Sequence, residues 1–184
     1  IAYGLSRFKV KREHGIMMSV LLVRQIPPIS LVLPFFIIGF ISKSLDSHIL
    51  LIIIYLTFNV PLTVWMLKGF FDKVPREIEE AALIDGCSRF DTITRILLPI
   101  VSPGVGATGV LCFSYCWNEF LYALMLSSIR AKTIPTVISE YVTKTGVAWG
   151  DMSAVAVLTV MPVLIFAIIF RRNFINGLSF GATK

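Results

Sequence analysis

ILLIIIYLTFNVPLTVWMLKGFF, from Ile49 to Phe71, holds one charged residue, Lys68, and one proline, Pro61. A helix needs about 20 mostly apolar residues to cross a hydrocarbon core of roughly 30 Å. This stretch meets that length, so its backbone can satisfy its own hydrogen bonds in lipid as a helix. Three further segments qualify: Ile16 to Ile41, interrupted by Arg24, Gln25 and the Pro27-Pro28 pair; Pro103 to Leu126; and Met152 to Phe170. Prolines within spans are tolerated when neighbours re-satisfy the freed carbonyls. Pro27, Pro28, Pro34, Pro61 and Pro162 therefore predict kinked helices packed in a bundle.

The composition agrees. The 184 residues are 56% hydrophobic and 15% charged, with a mean hydropathy of +0.82. Ordinary soluble domains carry about 25% charged residues. A soluble enzyme, a disordered tail and a disulfide scaffold are all poor fits. The net charge of +6 does not point to nucleic acid, because the cations cluster between apolar runs, the layout of membrane loops. The expected fold is an all-α polytopic helix bundle with about four complete spans.

Lys and Arg in alternate loops set the orientation. Arg7, Lys9, Lys11, Arg12, Lys68, Lys73, Arg76, Arg89, Arg95, Arg171, Arg172 and Lys184 fall on one side, and Lys43, Arg130, Lys132 and Lys144 on the other. The positive-inside rule places the first group in the cytoplasm, together with the loop over residues 72–99.

That loop is longer than a turn requires. Pro75 suits a first helical turn, Glu77, Glu79 and Glu80 sit near a positive dipole end, and Gly86 can end the helix in a left-handed conformation. Ser88 with Asp91 resembles a capping box, and Phe90, Ile93 and Leu97 predict one face of a second short helix. Ile78, Ala81, Ala82 and Asp85 fall on one face of the first helix. On that face the alanines allow close approach to a partner, and Glu80 lies away from it.

The spaced pattern Glu80-Ala81-Ala82, Asp85-Gly86 and Ile96-Leu97-Leu98-Pro99 resembles the EAA signature of permeases of binding-protein-dependent ABC importers. Ala2-Tyr3, Ser6-Arg7-Phe8, Ile26-Pro27-Pro28, Trp117-Asn118-Glu119-Phe120, Thr133-Ile134-Pro135 and Gly177-Leu178-Ser179 resemble the carbohydrate-uptake branch, which includes maltose-type and glycerol-phosphate-type importers. The resemblance implies a transmembrane domain over residues 1–184 that lacks the first span and part of the second. It further implies a cytoplasmic ATPase dimer, a second permease subunit and an extracytoplasmic substrate-binding protein. ATP and Mg would be used by the ATPase, with no cofactor in this chain, which holds no GxxxxGK[ST] loop. Glu80, Ala81, Ala82, Asp85, Gly86, Ile96, Leu98 and Pro99 are the implied coupling residues. The implied location is the cytoplasmic membrane of a prokaryote, in contact with lipid.

Arg24 and Glu119 are charges well inside spans, and such residues are functional candidates by default. Arg24 either snorkels and packs on its own subunit or faces a pathway. Asn118, Glu119 and Tyr115 either line a translocation path, as aromatic and polar groups that hold sugars, or belong to an interfacial aromatic belt. Gly104, Gly106, Ala107 and Gly109 suit close helix packing. Cys87, Cys112 and Cys116 show no metal-ligand spacing and imply no disulfide. His14 and His48 have no evident partner for metal binding or acid–base work.

Two other classes stay open. An intramembrane enzyme would need convergent catalytic groups, which the spans do not offer. A channel or scaffold would not need a docking loop. Within the transporter class, importers of amino acids, peptides or phosphorylated compounds share the loop.

Overall fold

A computed structural model describes residues 1–143 and 146–182, with side chains through Phe170 apart from Thr143. The described chain is helical: α1 (Ala2–Arg7), α2 (Glu13–Arg24), α3 (Pro28–Ile41), α4 (His48–Asp72), α5 (Arg76–Ile84), α6 (Arg89–Asp91), a π-helical segment (Thr92–Leu97), α7 (Leu98–Trp117), α8 (Leu121–Leu126), α9 (Ile134–Glu140) and α10 (Trp149–Ala182). Two two-residue strands, β1 (Val142–Thr143) and β2 (Gly146–Val147), pair antiparallel, Val142 opposite Val147.

Three described helices are long and apolar enough to cross a membrane: His48–Asp72, Arg89–Trp117 and Trp149–Phe170. The segment expected to be a kinked span from Ile16 to Ile41 is a pair of helices, α2 and α3, bent by 83°. Together they meet the same length and hydropathy test, and make a fourth span if they cross as one broken helix. The cause of the bend is local. The residue before a proline avoids the helical region, and here Pro27 is itself extended, at φ −58° and ψ 128°, while Pro28 opens α3. Pro61, by contrast, lies inside the unbroken α4.

The third span also differs from the sequence expectation of residues 103 to 126. It ends at Trp117, and the apolar run beyond it becomes the separate α8. The carboxylate of Glu119 accepts the amides of Tyr122 (2.8 Å) and Ala123 (3.1 Å). Two buried helix-start donors without an intrahelical partner are thus satisfied by a side chain, which makes the new start stable. At its other end the span begins earlier than expected. The predicted second short helix over Phe90, Ile93 and Leu97 is continuous with α7 through the π-helical segment, and Arg89–Trp117 forms one helix. Leu97 is fully buried while Phe90 is 75% exposed, so the three residues do not share a buried face.

The chain forms two compact units. One contains Ile1–Leu21 and Pro61–Cys112 with the chain from Ile169 onward. Its core is Ala2, Phe71, Val74, Leu97 and Val101, with Tyr3, Leu67, Phe70 and Ile93 against it. Gly104 is buried here because a Cβ on it would stand 2.3 Å from Cγ of Phe70. The other unit contains Leu22–Val60 and Phe113–Ile168. Leu50, Leu51, Ile54, Tyr122, Leu126 and Ala131 form its core, packed by Phe35, Leu45 and Phe58 among others. Within the lipid-facing part of the bundle such cores are held by close van der Waals packing, since lipid tails are as apolar as the side chains themselves.

Candidate functional site

The first unit carries the loop that bears the spaced signature. α5 starts after Pro75, whose φ of −55° and ψ of 139° lead the chain in, so Pro75 stands at the cap position just before the first turn. Glu77 and Glu79 lie in the first turn, where the helix dipole favours carboxylates. The far end closes by a Schellman motif: the Cys87 amide donates to the Ala82 carbonyl (3.0 Å), and the Gly86 amide to Leu83 (3.2 Å). Gly86 sits at φ +87° with open space around it. The glycine is needed for its backbone angle, as the sequence pattern anticipates. Ser88 accepts the Asp91 amide at 3.1 Å and starts the next helix.

The two neighbouring glutamates have opposite environments. Glu79 forms an ion pair with Arg7, the two side chains being 12% and 7% exposed. It also accepts the hydroxyl of Tyr3 at 3.0 Å. Burial, then the Glu79 carboxylate, hold the Tyr3 phenol above its ordinary pKa, so Tyr3 remains a donor. Arg7 further donates to the Val74 carbonyl at 2.9 Å. Short α1 is thereby bound to α5, and Arg89 lies over the ring of Phe8 at 5.8 Å. Glu80 is exposed, and no ion pair engages it among the described residues.

Ala81 and Asp85 are exposed, whereas Ala82 is only 5% exposed and faces its own chain. The expectation that Ile78, Ala81, Ala82 and Asp85 form one face open to a partner is therefore corrected: Ala82 belongs to the internal packing. The apolar tip presented outward is Ile84, 85% exposed, beside Leu83. Ile96 is half-buried, and Leu98 and Pro99 are exposed at the start of α7. Glu79, Arg7 and Ile84 are absent from the sequence-derived coupling set. Only the resemblance at Ser6-Arg7-Phe8 hinted at Arg7.

In the second unit, Arg24 stacks over the ring of Tyr115, 4.8 Å from its centre. Glu119 does not join them. Besides capping α8, it accepts the hydroxyl of Tyr55 at 3.0 Å. Asn118 donates to the carbonyl of Ser114 one turn back, at 2.8 Å. Asn59, 9% exposed, donates to the Tyr55 carbonyl and to the sulfur of Cys116. Among the described residues no group of three His, Cys, Asp or Glu side chains could hold a metal ion.

Apolar spans, with a braced, Schellman-terminated helix in the chain between two of them, define a polytopic membrane domain. Residues 1–179 match the family described as the binding-protein-dependent transport system inner membrane component. The chain belongs to that family and is a multi-pass inner-membrane protein. It is 35% identical over 184 residues to the sulfoquinovosyl glycerol transport system permease protein SmoH of Agrobacterium fabrum, covering 100% of this chain and 65% of that one. It is 35% identical over 187 residues to the trehalose/maltose transport system permease protein MalG of Thermococcus litoralis, covering 100% and 66%. The chain thus spans about two thirds of the length of these relatives. In fold it is similar to a bacterial ABC transporter that imports alginate, with a TM-score of 0.70 and 18% identity, covering 94% of this chain and 66% of that one. It is likewise similar to the MetNI methionine ABC transporter, with a TM-score of 0.71 and 19% identity, covering 96% and 82%.

Proposed function

We propose that this chain is part of the permease subunit of an ATP-driven importer that carries a sugar, oligosaccharide or polyol across the cytoplasmic membrane. ATP hydrolysis, with its Mg, belongs to a separate cytoplasmic ATPase dimer, and the permease itself does no covalent chemistry. A second permease subunit completes the path, and an extracytoplasmic binding protein docks on the loop from Ser127 to Asp151. The carbohydrate assignment draws on the transport systems that SmoH and MalG are named for.

The observation that carries the reading is the construction of α5. A helix of nine residues is too short to be stable alone, yet this one is fixed by the Arg7–Glu79 pair at one end and the Gly86 cap at the other. Between them it presents Glu80 and Ile84 outward. Such a rigid element transmits a push. Closure of the ATPase dimer moves it as a lever, and Asp85, Gly86 and the run Ile96, Leu98, Pro99 pass the motion into α7. Tyr115, Arg24, Asn118 and Glu119 are the polar groups proposed to lie along the path.

The test is co-purification and uptake. The full-length parent is expressed with its neighbouring genes, tagged on this subunit and extracted in mild detergent, as wild type and as Glu80→Lys. An ATPase that co-purifies with the wild type, and is lost or uncoupled in the variant, supports the reading. Folded wild type without any ATPase overturns it in favour of a channel or scaffold. Uptake of labelled sugars against amino acids in the same cells decides the substrate class.

A further inference from the structure

One carboxylate outside the coupling element has an unusual set of partners. Asp46 lies in the turn between α3 and α4, at a left-handed φ of +58° that aspartate tolerates. Its side chain accepts four consecutive backbone amides from the segment after α8: Ser128 at 2.8 Å, Ile129 at 3.1 Å, Arg130 at 3.0 Å and Ala131 at 3.0 Å. The Asp46 amide in turn donates to the Leu126 carbonyl at 2.9 Å. Successive amides that converge on one point form an anion-holding concavity. Here the anion is part of the chain. Without it, the four donors must be met by water.

The clamp has a consequence for what the loop displays. Its ends, Leu126 and Ala131, are anchored in the core of the second unit, at 3% and 1% exposed. With all four amides turned inward to Asp46, the Ile129 side chain stands 82% exposed, next to exposed Arg130 and Lys132. A tightly built turn that holds an isoleucine and Arg130 in solvent, beside a Lys132 paired with Glu140, is a shaped contact surface. The charge count places this loop on the outer side of the membrane.

We infer that Asp46 is the positioning residue that folds residues 127–133 into the docking face for the extracytoplasmic binding protein, with Ile129 as its apolar contact. This rests on the importer reading above.

The experiment uses the full-length parent, assembled with its partner permease and ATPase in lipid nanodiscs, and the soluble binding protein encoded beside it as the probe. Two quantities are read: the rate of trypsin cleavage after Arg130 and Lys132, and the binding-protein concentration that half-maximally stimulates ATP hydrolysis. In Asp46→Ala, local opening of the loop is expected to raise cleavage about tenfold. The half-maximal concentration rises about tenfold, and basal hydrolysis stays within about twofold. Asp46→Asn, which keeps one acceptor oxygen, falls between wild type and Asp46→Ala. Ile129→Ala raises the half-maximal concentration without changing the cleavage rate. Equal cleavage in wild type and Asp46→Ala overturns the clamp. Faster cleavage with an unchanged half-maximal concentration overturns the docking role. A wild-type complex that the binding protein does not stimulate overturns the importer reading and the docking role together, while the cleavage rates still decide the clamp.

Discussion

α5 and the loop after α8 are both short segments held by a single acidic side chain, but by opposite means. Glu79, 12% exposed, answers a buried guanidinium. Asp46 is half-buried and answers only backbone amides. A buried pair costs desolvation on both members and repays it only while both are present. A carboxylate ringed by amide donors has its ionised form stabilised by the number of charge-assisted hydrogen bonds it collects. The difference teaches what each segment needs. On the proposed coupling role, α5 must resist a load without changing its angle, and its bracing is stiff and unforgiving. The outer loop must keep a shape, and its clamp is local.

Removing Arg7 is the strongest challenge to that contrast. Arg7→Ala leaves Glu79 buried without its cation and is expected to cost about 3–5 kcal/mol, as measured by thermal unfolding in detergent. Adding Glu79→Gln should restore part of the loss, because a neutral amide is cheaper to bury. A double variant no more stable than Arg7→Ala would show that the pair does not brace α5. Gly104→Leu comes next, since its Cβ would already meet the Phe70 ring at 2.3 Å; the expected loss is about 1–3 kcal/mol. Gly109→Ala, with nothing within 4 Å, serves as the control and should stay within about 0.5 kcal/mol.

Gly86→Ala sharpens the comparison further. Its strain comes from φ +87° alone, so the cost is about 1–2 kcal/mol in the same unfolding measurement. Loss of ATPase coupling beyond that cost would separate the lever from mere stability. The smallest effect concerns pH at the clamp. Hydrogen bonds from the Ser128 amide first, then from Arg130 and Ala131, hold the Asp46 carboxyl well below the usual carboxylate range. A depressed folded-state pKa contributes stability above the unfolded value of about 3.9, and loses it only as pH falls through the folded value. Hydrogen exchange at Ser128–Ala131, corrected for intrinsic rate, should therefore show constant protection from neutral pH down to about 4. Protection that fades between pH 7 and 5 would mean that another group holds the loop.

Hydropathy made the spans His48–Asp72 and Trp149–Phe170 visible, because twenty apolar residues have few alternatives to a helix in lipid. The left-handed cap at Gly86 and the Ser88 start were equally legible, being local backbone chemistry. Span ends were less so. Trp117 to Leu126 reads as one apolar run, and only the Glu119 carboxylate turning back on the amides of Tyr122 and Ala123 breaks it. The 83° bend at Pro27 was visible as a proline pair but not as an angle.

The residues proposed to carry the function divide in the same way. Glu80, Ala81, Asp85 and Gly86 come from a spacing within one loop, and a sequence displays spacing directly. Glu79 looks no different from Glu80 until Arg7 arrives from a distant part of the chain. Asp46 looks like any turn aspartate until residues 128–131 close over it. By itself the sequence determined the lipid environment, the helices and the caps, since those depend on hydropathy and on backbone preferences within a few residues. Only the tertiary structure decided which acidic side chain is buried, which is free and which is a clamp. Burial and pairing depend on partners more than 70 residues away along the chain.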